Sequence, residues 1–490
     1  MALVELKIPP GIKSHGTDLE SEGRWLDSNL IRWESGSVRP VGGWTTRVAS
    51  ASTYAPRGSH GWVDNSGDPR IAMGTYEKLY AINYSGTVSD ITPVGFTTGD
   101  LSASINVGFG GGAYGVTSYG DERSSNGVWT EATSWSLDNW GEYLVACSVA
   151  DGVLYEWQLT GVAAAISNAP TGCAGLVVTD ERFLMALGAG GNPRKVQWCD
   201  RENNTVWTPT ATNEAGDFEL ATSGQIVQGI QLRGRTLILT SVDAHAAAYT
   251  GSQYVYGFEQ VGIGCGSVSR MSGASIGEGA LWMGANSFFM FNGSSVQPVQ
   301  CEVQDKVFNN INKQQISKVF AVHNSKFNEV WWYYPSGSSI ENDSYVAYDY
   351  KENIWMIGTL ERTAGFDSGV FSKSIQFDAS GNVYNHEEGY QWDSAEPYVE
   401  SGPIKIGTGE NVMHLTQMYP DELTQGQVQA TFKTRFYPND VERSYGPYSM
   451  SNPTSLRVTG RQVRMRLTAT GHESWRVGVP RIDITQGGKR

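Results

Sequence analysis

The stretch SYVAYDYKENIWMIG, residues 344–358, decides the fold. A run rich in tyrosine and valine meets a short polar turn and gives way to a second β-prone run, the pattern of an antiparallel strand pair. The same theme recurs along the chain. Upstream it reads KLYAINYSGTVSDITPV from Lys78, GVLYEWQLTGVAAAI from Gly152, RKVQWCDRENNTVWTP from Arg194, SQYVYGFEQVGIG from Ser252 and SFFMFNGSSVQPVQ from Ser287; downstream it reads GNVYNHEEGYQWD from Gly381. Several copies follow a further strand, such as RTLILTSV from Arg235 or EVWWYYP from Glu329. Irregular four-stranded units of about 40 to 50 residues are what a β-propeller is built from. The expectation is an all-β protein with a propeller of six to eight blades over residues 51–401.

Composition agrees with that class. Of 490 residues, 58 are glycine, 16 tryptophan and 23 tyrosine, which suits many turns and aromatic strands and leaves little helix. The only helical suggestion is VQDKVFNNINKQQISKVF, residues 303–320. No stretch approaches the roughly 18 apolar residues of a membrane span, so synthesis in a cytoplasm is expected. Cys147, Cys173, Cys199, Cys265 and Cys301 are odd in number and form no CxxC pair, which points to buried thiols and not to zinc or a disulfide framework.

The net charge of −14 is unevenly spread. Residues 51–401 carry 18 basic and 37 acidic side chains, whereas residues 402–490 carry 12 basic and 7 acidic. An acidic body does not wrap nucleic acid tightly, because counter-ion release needs clustered lysine and arginine. It suits a surface that DNA passes without sticking.

Two segments depart from the repeat. The first, GRWLDSNLIRWESGSVRPVGGW at 23–44, reads in its second half as a hairpin turning on Ser35-Gly36. Its register puts Trp33 opposite Val38 and Ile31 opposite Pro40 on an apolar face, with Arg32, Arg39 and Glu34 on the other. Two arginines facing each other repel, so Arg39 takes the diagonal Glu34, and Arg32 needs another carboxylate or a phosphate. Trp25, Trp33 and Trp44 offer a sugar platform, but packing is the preferred role for Trp33. The second, from about Ser401, becomes longer and more alternating: QVQATFKTRFYP, RQVRMRLTAT and SWRVGVPRIDIT. In RQVRMRL the apolar Val463, Met465 and Leu467 oppose Arg464 and Arg466, so a half-buried sheet with a basic outer face is expected. Its arginines, Arg457, Arg461, Arg464, Arg466, Arg476 and Arg481, suit DNA phosphates or the acidic body of a neighbouring subunit, and the second is preferred. Three segments follow: an N-terminal hairpin or anchor at 1–50, the propeller at 51–401, and a C-terminal β domain at 402–490, with the C-terminal region and the N-terminal hairpin together forming an additional β-sheet domain.

The insertion INVGFGGGAYGVTSYGDERSSNGVW, residues 105–129, alternates glycine with single aromatics and has no core of its own. Tyr114, Tyr119, Asp121, Glu122 and Arg123 mark its tip and are candidates for a loop bordering a channel. Phosphate-loop, zinc-protease and serine-hydrolase motifs are absent from the sequence. His414 and His472 lie in or beside the C-terminal strands and are read as exposed or satisfied histidines. Carboxylate pairs of the glycosidase kind exist at Asp200 with Glu202 and at Glu387 with Glu388, yet both sit where acidic residues suit a turn. No enzymatic activity and no cofactor are expected.

Several phrases together resemble the tail nozzle, or tail tube, proteins of short-tailed bacteriophages: IPPGI, GRWLDSNLIRWESGSVRPVGGW, SWSLDNWGEYLVAC, AGDFEL and the closing RQVRMRLTATGHESWRVGVPRIDITQGGKR. The resemblance runs in order through most of the chain. It implies a propeller with added β domains in a homo-hexameric ring in the virion tail. The ring would sit below the portal and adaptor, the head-to-tail connector, with tail fibres or tail-tip proteins as further partners. Its channel would retain packaged double-stranded DNA and pass it at ejection. A receptor-binding or carbohydrate-degrading tail protein and a soluble propeller scaffold are the competing readings. For the hairpin, the expectation is attachment to the acidic body of its own chain or of a neighbouring subunit, with Arg32 and Arg39 as the fastening residues.

Overall fold

The computed structural model describes residues 2–105, 129–405, 409, 411–450 and 452–489. Among the described residues, seven four-stranded antiparallel sheets follow one another. Their first strands are Ser59–Val63, Trp135–Trp140, Gly175–Val178, Ile226–Leu232, Gly273–Ser275, Phe320–Asn324 and Ala364–Phe366. Each of these strands touches the next, and the last touches the first, so the sheets are the blades of a closed seven-bladed propeller. Each aromatic repeat in the sequence supplies third or fourth strands to one blade.

The ring closes on a strand from far away in sequence. Blade seven takes three strands from 364–386, and its fourth is Trp44–Val48, paired with Val383–His386 so that Trp44 faces His386. Glycine lets the inner strands come close. A Cβ on Gly61 would lie 2.5 Å from the Phe366 ring across the seam between blades one and seven, and one on Gly273 would lie 2.5 Å from Ile230.

The N-terminal segment joins the C-terminal β domain, as expected, and also completes blade seven, so 1–50 is not a unit of its own. It is divided among three places because, apart from the hairpin, its strands find their partners at long range. Ala2–Glu5 pairs with Arg481–Gln486 and Trp25–Asn29 with Tyr398–Ser401, each at the edge of a C-terminal sheet. The hairpin Ile31–Glu34 and Ser37–Pro40 follows, and then the closing strand of blade seven. Two stacked sheets result, one ordered Ala2–Glu5, Arg481–Gln486, Met413–Tyr419, Thr454–Gly460. The other is ordered Trp25–Asn29, Tyr398–Ser401, Gln462–Ala469, Val428–Arg435, Arg443–Ser449. As the alternation demands, Val463, Met465 and Leu467 are buried between them.

One apolar core runs from this sandwich through the hairpin into blades five to seven, joining Met465 and Leu467 to Trp33 and Val38 and on to Trp331 and Tyr345. Within residues 303–320, a short helix Gln304–Phe308 and a 3-10 turn Lys313–Lys318 form the connection between blades five and six. No helix among the described residues is long and apolar enough to cross a membrane.

Candidate functional site: an interdomain clamp and the axial mouth

The hairpin has the register its sequence dictates: Ile31 faces Pro40, Arg32 faces Arg39, Trp33 faces Val38 and Glu34 faces Ser37. Ser35 and Gly36 both take left-handed backbone, with φ of 51° and 80°. Val38 exchanges two backbone hydrogen bonds with Val477, each 2.9 Å, which fixes the hairpin to the sandwich. On the other side Leu30 N donates to Tyr345 Oη at 2.7 Å and Ser28 Oγ donates to Ile357 O at 2.8 Å, which fixes it to blade six.

Arg32 completes the joint. Its side chain is 2% exposed and donates through Nε and Nη2 to Glu329, and through Nη1 and Nη2 to Glu387, at 2.6–2.9 Å. Phe327 lies beneath the guanidinium, 3.5 Å from its ring centroid. Glu329 begins the second strand of blade six, and Glu387 follows the third strand of blade seven. One arginine thus ties the hairpin to two neighbouring blades next to the seam where the ring closes. Burial alone would lower the Arg32 pKa, but the two carboxylates outweigh it and raise it. Burial pushes Glu329 upward against the pull of Arg32. Burial also works to raise Glu387, yet Arg32, the Gly42 N–H and Asn324 hold it below the usual glutamate value.

The remaining interface candidates are paired within the chain. Trp33 is buried in the shared core. Arg39 bonds the diagonal Glu34, and Arg476 reaches the same Glu34 at 2.9 Å. Arg464 and Arg466 converge with Lys433 on Glu400, which is 6% exposed, at 3.1, 3.4 and 2.7 Å; Arg464 also pairs with Glu442. Arg466 lies over the Tyr398 ring at 3.6 Å. The expected pairing of Arg464, Arg466 and Arg476 with a neighbour is thus replaced by pairing inside the sandwich and hairpin. The reason is geometric: Tyr398–Ser401 lies beside Gln462–Ala469 in the sheet and sets Glu400 directly opposite Arg466.

Glu387 and Glu388 do not act together. The first is taken up by Arg32, Gly42 and Asn324, and the second bonds Thr45. Asp200 accepts from Glu214 N, and Glu202 sits in a turn with φ of 56°.

The propeller axis holds a cavity of about 310 Å³ lined by the innermost strands, with His60, Asp138, Gln228, Gln231 and Arg270 among the polar groups facing it. His60 Nε2 lies 3.0 Å from Asn139 Oδ1, and burial raises the Asp138 pKa. The base of the insertion crosses the end of this axis. It leaves the connection between blades one and two and is held on the opposite side of the ring. Ala103 exchanges hydrogen bonds with the Gln315 side chain at 3.0 and 2.8 Å, Ala132 N donates to Ser317 Oγ at 3.2 Å, and Arg270 pairs with Glu131 at 2.6 Å. The proposed tip residues Tyr114, Tyr119, Asp121, Glu122 and Arg123 lie outside the described residues. Sequence reading missed Glu329, Glu131 and Gln315 as partners, since each is one polar residue among many with no periodic signal.

No protein-family model matches the chain, and no curated protein matches it. Among solved structures it is similar to virginiamycin B lyase from Staphylococcus aureus, at 8% identity and a TM-score of 0.43 over 70% of this chain and 98% of that one. PorZ, of the type-IX secretion system of Porphyromonas gingivalis, aligns at 9% identity and a TM-score of 0.38 over 84% of this chain and 48% of that one. A luciferin-regenerating enzyme aligns at 7% identity and a TM-score of 0.35, over 51% of this chain and 89% of that one. The expectation of no enzymatic activity is withdrawn on this finding, because proteins named as enzymes stand among the similar structures. At such identities the likeness extends to the fold alone: an all-β propeller, here with seven blades and an appended sandwich.

Proposed function

We propose that the chain is a structural subunit of the tail nozzle of a short-tailed bacteriophage. Six copies form a ring below the adaptor, with tail fibres or tail-tip proteins as neighbours and double-stranded DNA as a transient passenger. One observation carries the reading. The phrases that resemble nozzle proteins at the two ends of the chain meet in a single joint, where IPPGI and the hairpin pack against blade six and the closing segment grips the hairpin through Val477.

Charge supports the same reading. An acidic stretch of 37 carboxylates against 18 basic side chains repels a polyanion and limits its adhesion during passage. Beyond the arginines paired inside the sandwich, the exposed Arg443 and Arg457 offer one subunit cations for the acidic propeller of the next, as a closed ring with heterologous interfaces requires. Electron microscopy of the purified protein, alone and with the connector proteins of the virion, tests the proposal. Six-fold rings with an axial hole are expected; compact monomers under both conditions would overturn it.

A further inference from the structure

Where the chain enters blade one, two buried cations share one carboxylate. Arg57 is 2% exposed and pairs through Nη2 with Glu341, while its Nε and Nη1 are buried and have no hydrogen-bond partner among the described residues. Lys318 is fully buried, and its Nζ donates to Ser102 Oγ at 3.0 Å, Ile340 O at 2.9 Å and Glu341 at 2.8 Å. Two residues beyond Arg57, Ser59 lines the axial cavity, and its Oγ is buried and likewise without a partner. Burial, reinforced by Arg57, lowers the Lys318 pKa to about 8, which leaves it cationic at neutral pH. The cluster therefore holds one positive charge in excess together with two idle guanidinium donors. Buried charge of this kind is costly until a counter-ion completes it.

Arg32 and Arg362 show that the chain satisfies its other deeply buried arginines by different means. Arg32 spends every guanidinium nitrogen on two carboxylates. Arg362 has one idle nitrogen, but its charge lies against the rings of Trp44 and Tyr384, 4.8 and 4.5 Å from their centroids. Arg57 has neither.

We propose that Arg57 and Lys318 are the buried half of a small-anion site behind the wall that Gly58 and Ser59 give the axial cavity. Arg57 Nε and Nη1 and Ser59 Oγ supply the donors, and a small inorganic oxyanion or a halide supplies the missing negative charge. The bound anion would act as a keystone between the entry to blade one, blade six and the base of the insertion, since Glu341 pairs with both cations and Ser102 accepts from Lys318.

The test is thermal unfolding of the full chain, titrated with phosphate and separately with bromide at constant ionic strength. A ligand that binds only the folded chain must raise the melting temperature with the logarithm of its concentration. Wild type should show that rise, and Arg57→Met should lose it. Ser59→Ala removes one proposed donor and leaves Arg57, Lys318 and Glu341 in place, so its anion response should be several-fold weaker than that of wild type. Crystals soaked in bromide should give an anomalous peak within hydrogen-bond distance of Arg57. Anion-independent melting of wild type, or an undiminished response in Arg57→Met, would overturn the site. Should Arg57→Met fail to fold, Ser59→Ala decides, and an anion response equal to that of wild type overturns the proposal.

Discussion

Arg32 and the pair Arg464 and Arg466 all stand on the polar face of a strand whose other face is apolar, yet they end in different surroundings. Arg32 is sealed between two blades, with Glu329 2% and Glu387 11% exposed. Arg464 and Arg466 are 15% and 29% exposed and share Glu400 with Lys433. In the first case one cation serves two acids, and in the second three cations serve one. The difference lies in what happens when a partner is lost. Around Arg32 no water replaces it, whereas around Glu400 a remaining cation does.

The largest effects should come from the hairpin. Arg32→Met strands two buried carboxylates and should cost about 3–5 kcal/mol in denaturant unfolding. Trp33→Ala, which empties a buried site of the shared core, should cost a similar amount, about 3–5 kcal/mol. If either behaves like a surface substitution, the contrast between the two groups fails.

Acid sharpens the comparison further. Glu387 titrates below its ordinary value of 4.5 in the folded chain, so its contribution is present above that pH and is lost as pH falls through the folded value. Glu387 should therefore withdraw stability from wild type below about pH 4.5, while Glu329, raised by burial, works against that loss. In Arg32→Met the sign reverses: two buried, unpaired glutamates titrate high, so stability should rise as pH is lowered from 7 towards 5. Stability curves at several pH values for both proteins check this, and parallel curves would refute it.

A smaller loss, about 1–3 kcal/mol, is expected for Arg464→Met with Arg466→Met, because Lys433 still bonds Glu400 at 2.7 Å. Smallest is Arg39→Ala, whose partner Glu34 is 45% exposed and keeps Arg476; its cost should be under about 1 kcal/mol and should shrink with salt.

Local order was legible in the sequence and long-range pairing was not. The hairpin register followed from period two and a Ser-Gly turn, both contained within ten residues. The aromatic strand pairs marked the blades because each blade repeats the same need for a buried, β-prone inner half. The fate of Trp44–Val48 had no such signal. Its partner lies more than 300 residues away, and nothing local distinguishes the last strand of blade seven from the end of a hairpin. Likewise the acidic stretch supplied a pool of partners for Arg32 but could not single out Glu329 and Glu387, since ion pairing leaves no periodicity. Asp64 and Asp378, by contrast, sit in D-x-S-G turns whose side chains accept the following N–H groups, a pattern readable from four letters.

The closing strand of blade seven also imposes a schedule. Trp44 leaves the ribosome 342 residues ahead of His386, its partner. At about 5–20 residues per second, this five-residue strand waits roughly 17–70 s with its backbone unpaired. During that interval the growing chain carries an open strand at one end and an incomplete ring at the other, each able to pair with the wrong copy. A nascent chain stopped before His386 therefore releases a propeller with a missing latch, and translation speed through blade seven becomes a determinant of yield.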